Sequence, residues 1–396
     1  MNESVIDRVR KVMEAASLSQ GAFAEKVGLT PDKLSKSLAG VRRFTSLDLA
    51  LIAEAGGTTV DWLLTGREPL RPSFAARTTA ESVPRRDSVS EVAGRFTAAY
   101  EVLELVGRQP ELPPMPSVRT GLGRYVGQGE RLAQDAVAAL TAAGASRIVA
   151  DLETDVLITA CAETFGVDVA VTSMPTGVDG LTWQTDGFRL ILVRPTTVWT
   201  RQRFTLAHEL GHILARDAQE PVVEGHVAPG RQKDLTEVRA NVFASNLLMP
   251  APAVRNRFRD VADRHGGLTD EAFAELVVGF KVSPSAMAAR LRQLRLIEGK
   301  SASRFRGLTT HVCHLHAEAT DTFQRQLAWA SAERFPVRLV SALHRCYLDG
   351  ETTLRPLAAL LGMDVDCLHG MLDPAQPDTP EWATEDADEG DLVFQP

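Results

Sequence analysis

The sequence predicts an α+β protein in which many helices surround one small β-sheet. Apolar residues recur three and four positions apart through most of residues 4–66 and again through most of 251–372, which is the spacing of amphipathic helices. Between residues 167 and 193 the spacing changes to the alternation expected of strands. We therefore expect an all-α N-terminal domain, a central and mostly helical domain with a small sheet, and a helical C-terminal region.

Length and composition indicate an ordinary globular protein with more than one domain. The chain has 396 residues, of which 44% are hydrophobic and 24% are charged, so two or three domains are expected. The formal net charge of -8 argues against a protein built wholly around nucleic acid. It leaves room for one small DNA-reading domain, because the acidic residues are unevenly distributed.

The cellular compartment can be predicted from the absence of membrane spans, of a signal peptide and of paired cysteines in the sequence. No run of about 18 apolar residues occurs, and residues 1–4 do not begin a signal peptide. The cysteines are scattered without the spacing of a metal site or a disulfide framework. They are Cys161, Cys313, Cys346 and Cys367. We expect a cytoplasmic protein with reduced thiols and no membrane association.

Two short helices near the N-terminus have the arrangement of a helix-turn-helix. The segments 19–28 and 30–39 each contain apolar residues at helical spacing and are separated by a short turn. Ser19 and Thr30 are suitable N-cap residues, and Pro31 suits the first helical position.

The second of these helices would read DNA. Its apolar positions Leu34 and Leu38 belong to the core, while the polar residues, Ser37 among them, are expected to face outward. Such side chains can reach base edges and phosphates in a major groove. The candidate contacts are Thr30, Asp32, Lys33, Ser35, Lys36, Arg42 and Arg43. A helical bundle whose charges are only solvated remains the alternative.

Residues 4–68 resemble the XRE family of helix-turn-helix domains. The resemblance rests on the segments 18–24 and 27–30 and on the ending Val-Asp-Trp-Leu-Leu-Thr-Gly at 60–66. It implies binding to a double-stranded DNA operator, as a homodimer on a two-fold site. The nearly balanced charge of this domain departs from a strongly basic surface and predicts modest non-specific affinity.

The remaining boundaries follow from composition. Residues 69–90 are rich in Pro, Arg, Ser and Thr, which is typical of a flexible linker, and the last residues are too acidic to bury. The predicted domains are 1–68 for DNA binding, 69–115 as a linker with one helix, 116–300 as the central domain, 301–380 as a helical C-terminal domain and 381–396 as an acidic tail.

Three strand-like runs precede the motif that carries the chemistry. They are 167–171, 181–184 and 188–193, and the last two are joined by Thr-Asp-Gly, a strong hairpin signal. We expect residues 188–193 to form an edge of the sheet, along which an extended peptide can add as a further strand.

The helical stretch 204–214 contains the pattern His-Glu-Leu-Gly-His. His208 and His212 are four residues apart and share one helical face, so both can bind one metal ion. Glu209 is placed to reach a water beside the metal instead of the metal itself. Zinc lowers the pKa of a bound water toward about 7, and a carboxylate can then take its proton. Two buried core histidines are the alternative interpretation.

A catalytic zinc site needs a third protein ligand. The downstream candidates are Glu224, His226, Asp234 and Glu237. Glu237 begins an apolar helical segment that could cross the motif helix, whereas Glu224 and His226 lie in a loop containing Gly and Pro. His226 could also stabilise an oxyanion.

Residues 146–250 resemble the ImmA/IrrE family of metallo-endopeptidases. The matching segments are 178–183, 203–212, 237–244 and 247–250. The resemblance implies a zincin-like domain of the gluzincin kind, with Glu237 as third ligand, Glu209 as catalytic base and Zn²⁺ as the ion, although Mn²⁺ stays open for a site with a carboxylate ligand. It also implies a protein substrate, usually a transcriptional repressor, cleaved in response to stress or phage.

Two alternatives stay open at this point. The chain could be a transcription factor that uses the peptidase fold as a sensor without proteolysis, but a pure sensor would have no need of Glu209. His311, His314 and His316 with Cys313 invite a second metal site, and their spacing matches no standard one.

Overall fold

The computed structural model describes residues 4–16, 18–56, 58, 60–66, 75–78, 86–115, 125–145, 148–217 and 231–372. The chain forms two compact units, residues 1–71 and residues 72–396. The predicted acidic tail at 381–396 lies outside the described residues, as do Glu224 and His226.

The first unit is a bundle of short helices. They are α1 (Val5–Ala15), α2 (Gln20–Lys26), α3 (Pro31–Leu38), α4 (Ser46–Gly56) and α5 (Val60–Thr65). Ser19 and Thr30 cap α2 and α3 by accepting hydrogen bonds from backbone N–H groups, as predicted. Leu34 and Leu38 are in the core, but the expectation that Ser37 faces outward is wrong. Its side chain is buried and accepts a hydrogen bond from Arg42 at 3.0 Å.

The second unit contains the sheet and the remaining described helices. Its first half comprises β1 (Ala75–Thr78), α6 (Arg86–Leu105), α7 (Tyr125–Ala142), a 3₁₀ turn (Val149–Asp151), α8 (Thr154–Phe165), β2 (Val167–Val171), β3 (Val178–Gln184), β4 (Arg189–Val193) and α9 (Trp199–Ala215). Its second half comprises α10 (Arg231–Leu248), α11 (Ala251–His265), α12 (Asp270–Phe280), α13 (Pro284–Gln293), α14 (Gly299–Arg306), α15 (Thr310–His316), α16 (Thr320–Ser331), α17 (Val337–Leu348), α18 (Arg355–Leu361) and α19 (Val365–Leu372).

The four strands have the order β1-β3-β4-β2. β3 pairs antiparallel with both β1 and β4, whereas β2 runs parallel to β4. The predicted β3–β4 hairpin is present, and the Thr185 hydroxyl accepts hydrogen bonds from the N–H groups of Gly187 and Phe188. The second unit therefore has the predicted α+β composition, with helices around a small mixed sheet.

Two expectations about the sheet are wrong. The segment predicted as linker contains β1, because the exposed edge of β3 supplies hydrogen-bonding partners that the sequence of the segment does not reveal. β4 is not an edge, since it lies between β3 and β2. A substrate cannot add along residues 188–193.

Helices cover both faces of the sheet. On one face, α9 packs against β3 and β4. On the other, the Tyr100 ring of α6 stacks on Phe188 with centroids 4.2 Å apart, and its hydroxyl donates to Asp168 at 2.7 Å. α9 therefore lies between the sheet and α10, both of which it contacts.

The helical spacing of apolar residues over 148–165 predicts one continuous helix, but the structure breaks it. Arg203 of α9 is fully buried and donates to the carbonyl oxygens of Val149 and Leu152, each at 2.9 Å. The Val149 carbonyl also accepts from the N–H of Leu152, three residues later, at 3.1 Å, which is the bonding of a 3₁₀ turn and not of an α-helix. The chain therefore forms a 3₁₀ turn first and begins α8 at Thr154.

Residues 301–372, predicted as a separate domain, belong to the same compact unit as the sheet. Phe305 stacks on Phe273 at 4.2 Å and Cys313 contributes to the same core, so the apolar surface is continuous across residue 300. Nδ1 of His314 donates to the Thr310 carbonyl at 2.7 Å, and the ring packs edge-on against Trp199. The four cysteines are free thiols.

Within the described ranges, no single helix combines the length and the hydropathy that crossing a bilayer would need; α12 and α13 reach those limits only when taken together, across a bend of 100°.

Candidate functional site

The two motif histidines lie on one face of α9. Nearly every residue of this helix is buried, because the sheet and α10 cover it on different sides. The Nε2 atoms of His208 and His212 are 3.1 Å apart, and both side chains are about 1% exposed. The two rings thus direct one nitrogen each toward a common point.

Glu237 approaches that point from α10. Its carboxylate oxygens lie 3.3 Å from Nε2 of His208 and 3.5 Å from Nε2 of His212. Gly211 makes this close crossing of α9 and α10 possible, because a Cβ there would lie 2.8 Å from the Phe243 ring. The structure therefore brings together the three residues that were predicted as metal ligands.

This donor set fits a divalent metal ion. One ligand atom from each of the three residues lies within 4.8 Å of the other two, and no other such group of three occurs among the described residues. Two imidazole nitrogens and one carboxylate oxygen are ligands that zinc prefers, and three protein ligands leave one position for water or substrate. Asp234 lies on α10 as well, but its side chain is outside what the structure describes.

Hydrogen bonds orient both histidine rings from behind. Nδ1 of His208 is 3.2 Å from Oδ1 of Asn241, and Nδ1 of His212 is 2.9 Å from Oδ2 of Asp217. With Nδ1 protonated in this way, Nε2 keeps its lone pair for a metal. Asn241 shares a helical face with Glu237, so one turn of α10 supplies both a candidate ligand and the partner of another.

Asp217 is itself held by Arg239. The guanidinium of Arg239 forms an ion pair with the second oxygen of Asp217 and donates to Gln128 at 3.0 Å. Sequence reasoning missed Asp217, Arg239 and Gln128. The only available signal was the position of Asp217 just beyond the end of the motif helix, five residues after His212.

The neighbouring carboxylates favour the protonated form of His212. Burial alone would lower the pKa of His212, but Asp217 and Glu237 outweigh it and raise that pKa to about 10. Burial would raise the pKa of Glu237, but its hydrogen bonds with His208 and His212 hold it well below the usual range. Metal binding must therefore displace a proton from this cluster.

Glu209 directly follows His208 in the sequence, and its side chain is fully buried. The Thr182 hydroxyl of β3 donates to its Oε2, while its Oε1 has no hydrogen-bonding partner among the described residues. Burial is the main cause of its raised pKa, which the two histidines and Thr182 oppose. Gly180 allows this approach, because a Cβ there would lie 2.9 Å from Oε1.

The unpartnered oxygen of Glu209 is a natural acceptor for a proton from water. A buried acceptor without a partner is costly unless water or a ligand completes it. A zinc ion, when bound, would supply the Lewis acidity that lets water react near neutral pH. Thr182 keeps the carboxylate in place, and a raised pKa makes it a better base than an exposed glutamate.

Most of the candidate DNA contacts are exposed on the first unit. Lys36 and Asp32 form an exposed ion pair at 2.9 Å, and Lys33, Ser35 and Arg43 are exposed. Thr30 is exposed but also serves as the cap of α3. Arg42 is different, because its guanidinium pairs with the buried Asp48 at 2.7 Å, and this contact holds it within the unit.

Residues 162–292 match the protein family described as the IrrE N-terminal-like domain, Peptidase_M78. Over 127 residues the chain is 33% identical to the radiation response metalloprotease IrrE of Deinococcus radiodurans. The match covers 31% of this chain and 35% of that protein, so the chain spans about a third of the length of this curated relative. The family match, residues 162–292, contains His208, His212, Glu209 and Glu237, and this part of the chain is therefore similar to an IrrE-like metallopeptidase domain.

Proposed function

We propose that the protein is a DNA-binding, regulatory zinc metallo-endopeptidase. It cleaves a protein substrate, a transcriptional repressor, in a stress or phage response. The observation that carries the proposal is the convergence of His208, His212 and Glu237 beside the buried carboxylate of Glu209.

The roles follow from the contacts. His208, His212 and Glu237 hold the ion, and Asn241 and Asp217 fix the two imidazole rings. Glu209 takes the proton of the attacking water and later returns it to the leaving amine. Zinc suits two nitrogens and one carboxylate better than manganese does, since manganese favours oxygen ligands.

The regulatory part of the proposal rests on the first unit and on the relative. The exposed side of α3 presents Lys33 and Lys36, and Arg43 follows in the next loop; these side chains can contact phosphates and bases of an operator bound by a homodimer. The relative from Deinococcus radiodurans is a radiation response metalloprotease, and a stress-linked role is in keeping with that name.

The first prediction tests both the metal and the base. The purified protein should contain about one zinc per chain, and His208→Ala combined with His212→Ala should remove it. Glu209→Gln should keep the zinc, because all three ligands remain, and should slow cleavage by about 10²–10⁴-fold. Metal content is measured by elemental analysis, and cleavage by intact mass after co-expression with repressors encoded beside the gene.

Glu104→Gln, an exposed residue of α6, is the matched control and should cleave like the parent. Full metal in the double histidine variant would contradict the metal assignment. Equal cleavage by Glu209→Gln and the parent would remove Glu209 as base. No metal-dependent cut by the parent, with DNA-linked regulation intact, would favour the sensor alternative.

A further inference from the structure

β3 is the strand that lines the candidate active site. Gly180 and Thr182 point to the same face of the sheet and both touch Glu209, the first by close approach and the second by its hydroxyl. A polypeptide bound along the free edge of β3 would therefore run directly past the catalytic carboxylate.

The hydrogen-bonding pattern shows which residues of β3 face that edge. In the β3–β4 ladder, the N–H of Arg194 donates to the Asp179 carbonyl at 3.0 Å and the N–H of Thr185 donates to the Phe188 carbonyl at 2.9 Å. Peptide groups alternate in direction along an antiparallel strand. The N–H and C=O groups of Gly180 and Thr182 therefore point away from β4, toward the opposite edge.

β1 occupies that edge. Ala75 is opposite Thr182 and Arg77 is opposite Gly180, so β1 takes up the outward peptide groups nearest to Glu209. β1 also contacts α9, the helix that carries the two histidines. It lies outside residues 162–292, the segment that matches the family, and it follows α5 by only nine residues.

We propose that β1 fills, within the same chain, the position at which an extended peptide segment of the substrate binds. The ligand class is an extended polypeptide recognised through its main chain, as in other strand-addition sites. A substrate must displace β1 before it is cleaved, so β1 lowers the activity of the parent protein. This inference rests on the proposed peptidase function and adds its regulation.

The structure of β1 suits a displaceable occupant. It is four residues long, pairs with a described strand on one side only and has a register shift between Arg77 and Thr78. A short, irregular edge strand forms few main-chain hydrogen bonds, so a substrate segment with a longer regular pairing can replace it.

The register supplies a matched pair of variants to test this. The N–H of Ala75 points to Thr182, whereas the N–H of Ala76, opposite Leu181, points away from β3. Ala75→Pro removes a hydrogen bond to β3, and Ala76→Pro removes none, although both add the same ring. Both variants should keep the metal content of the parent, because every candidate ligand is unchanged.

The probe is a fluorescein-labelled peptide of residues 72–81, added in trans and followed by anisotropy. We expect Ala75→Pro to bind it up to about tenfold more tightly than the parent does, the order expected when one main-chain hydrogen bond of the competing strand is lost. Ala76→Pro should bind it like the parent. With zinc loaded, cleavage of fluorescein-labelled casein should rise in Ala75→Pro alone, and unlabelled 72–81 peptide should suppress that rise.

Equal peptide binding by all three proteins would overturn the proposal, as would equal casein cleavage by active parent and variants. Tighter peptide binding by Ala75→Pro without cleavage by any zinc-loaded protein would uphold the strand site. That result would count instead against the proposed peptidase function.

Discussion

Asp217 connects a candidate metal ligand to a buried arginine. Its two oxygens are divided between His212 and Arg239, so the imidazole of His212 cannot turn without breaking an ion pair that is almost fully enclosed. The position of Asp217 depends on the left-handed backbone of Arg216, whose φ is 57°. This turn ends α9 and brings the chain back toward the histidine.

Removal of Asp217 should therefore weaken metal binding. Asp217→Ala leaves all three ligands in place but frees the His212 ring and leaves Arg239 without its carboxylate. Loss of such an outer hydrogen-bonding partner costs about 10–100-fold in metal affinity. Competition for zinc with a chromophoric chelator measures the effect.

Asp151→Ala is the matched control, since Asp151 pairs with Arg257 on the surface at 3.4 Å and has no contact with the histidines. Its zinc affinity should equal that of the parent. If Asp217→Ala also retained parental affinity, the Asp217 hydrogen bond would have no role in holding the metal.

Sequence reasoning predicted the candidate ligands but not the residues that support them. Spacing alone places His208 and His212 on one helical face, and Glu237 follows from the resemblance of its helix. The partners of these residues depend on where α7, α10 and the end of α9 meet. That geometry comes from tertiary packing, and no local pattern around Gln128 or Arg239 encodes it.

The crossing of α9 and α10 depends on the absence of a side chain at Gly211. A Cβ there would lie 2.8 Å from the ring of Phe243 and 3.4 Å from the Cα of Ala240. Phe243 is fully buried, so its ring cannot move aside without disturbing the core. The helices would have to separate, and Glu237 would move away from the histidines.

Gly211→Ala should therefore destabilise the protein by about 1–3 kcal/mol, as overpacking of a core does. The effect opposes helix propensity, by which Ala in a helix interior gains up to about 1 kcal/mol over Gly. Gly94→Ala in α6 is the control, because nothing lies within 4 Å of its added Cβ, and it should be neutral or stabilising. Urea unfolding of both variants measures the difference.

A loss of stability in Gly94→Ala as large as that in Gly211→Ala would show that helix crossing is not the cause. The affinity for zinc provides a second readout. It should fall in Gly211→Ala, whose helices separate at the site, and should be unchanged in Gly94→Ala.

Elements with strong local patterns were predicted well, and those defined by tertiary contacts were not. The β3–β4 hairpin and α9 follow from alternation, from Asp-Gly and from helical spacing. β1 could not be found, because Ala-Ala-Arg-Thr has little preference for a strand and becomes one by pairing with β3. The break before α8 was missed because it is stabilised by Arg203, about fifty residues later.

The distribution of charge differs between the parts of the whole chain. Residues 373–396 contain eight acidic residues and no Lys or Arg, so the rest of the chain has a formal charge of zero despite the total of -8. Residues 1–71 contain ten basic and nine acidic residues. The acidic total therefore does not argue against DNA binding by the first unit, whose contacts depend on where its few basic residues lie.

The last prediction separates the two arginines that follow α3. Arg43 is exposed, so Arg43→Ala should weaken binding to DNA from the protein's own promoter region and reduce the slope of log affinity against log salt by about one. Arg42 pairs with the buried Asp48, so Arg42→Ala should also loosen the first unit and raise hydrogen exchange across α1–α5. Arg43→Ala should leave that exchange unchanged.

Gel-shift titrations at several salt concentrations measure DNA binding. Lys300→Ala is the control for loss of one positive charge, because Lys300 is an exposed residue of α14. If Arg43→Ala bound DNA no more weakly than Lys300→Ala, the side of the unit beyond α3 would not be the DNA-binding surface. Glu209→Gln should bind DNA like the parent, because the two units have separate cores.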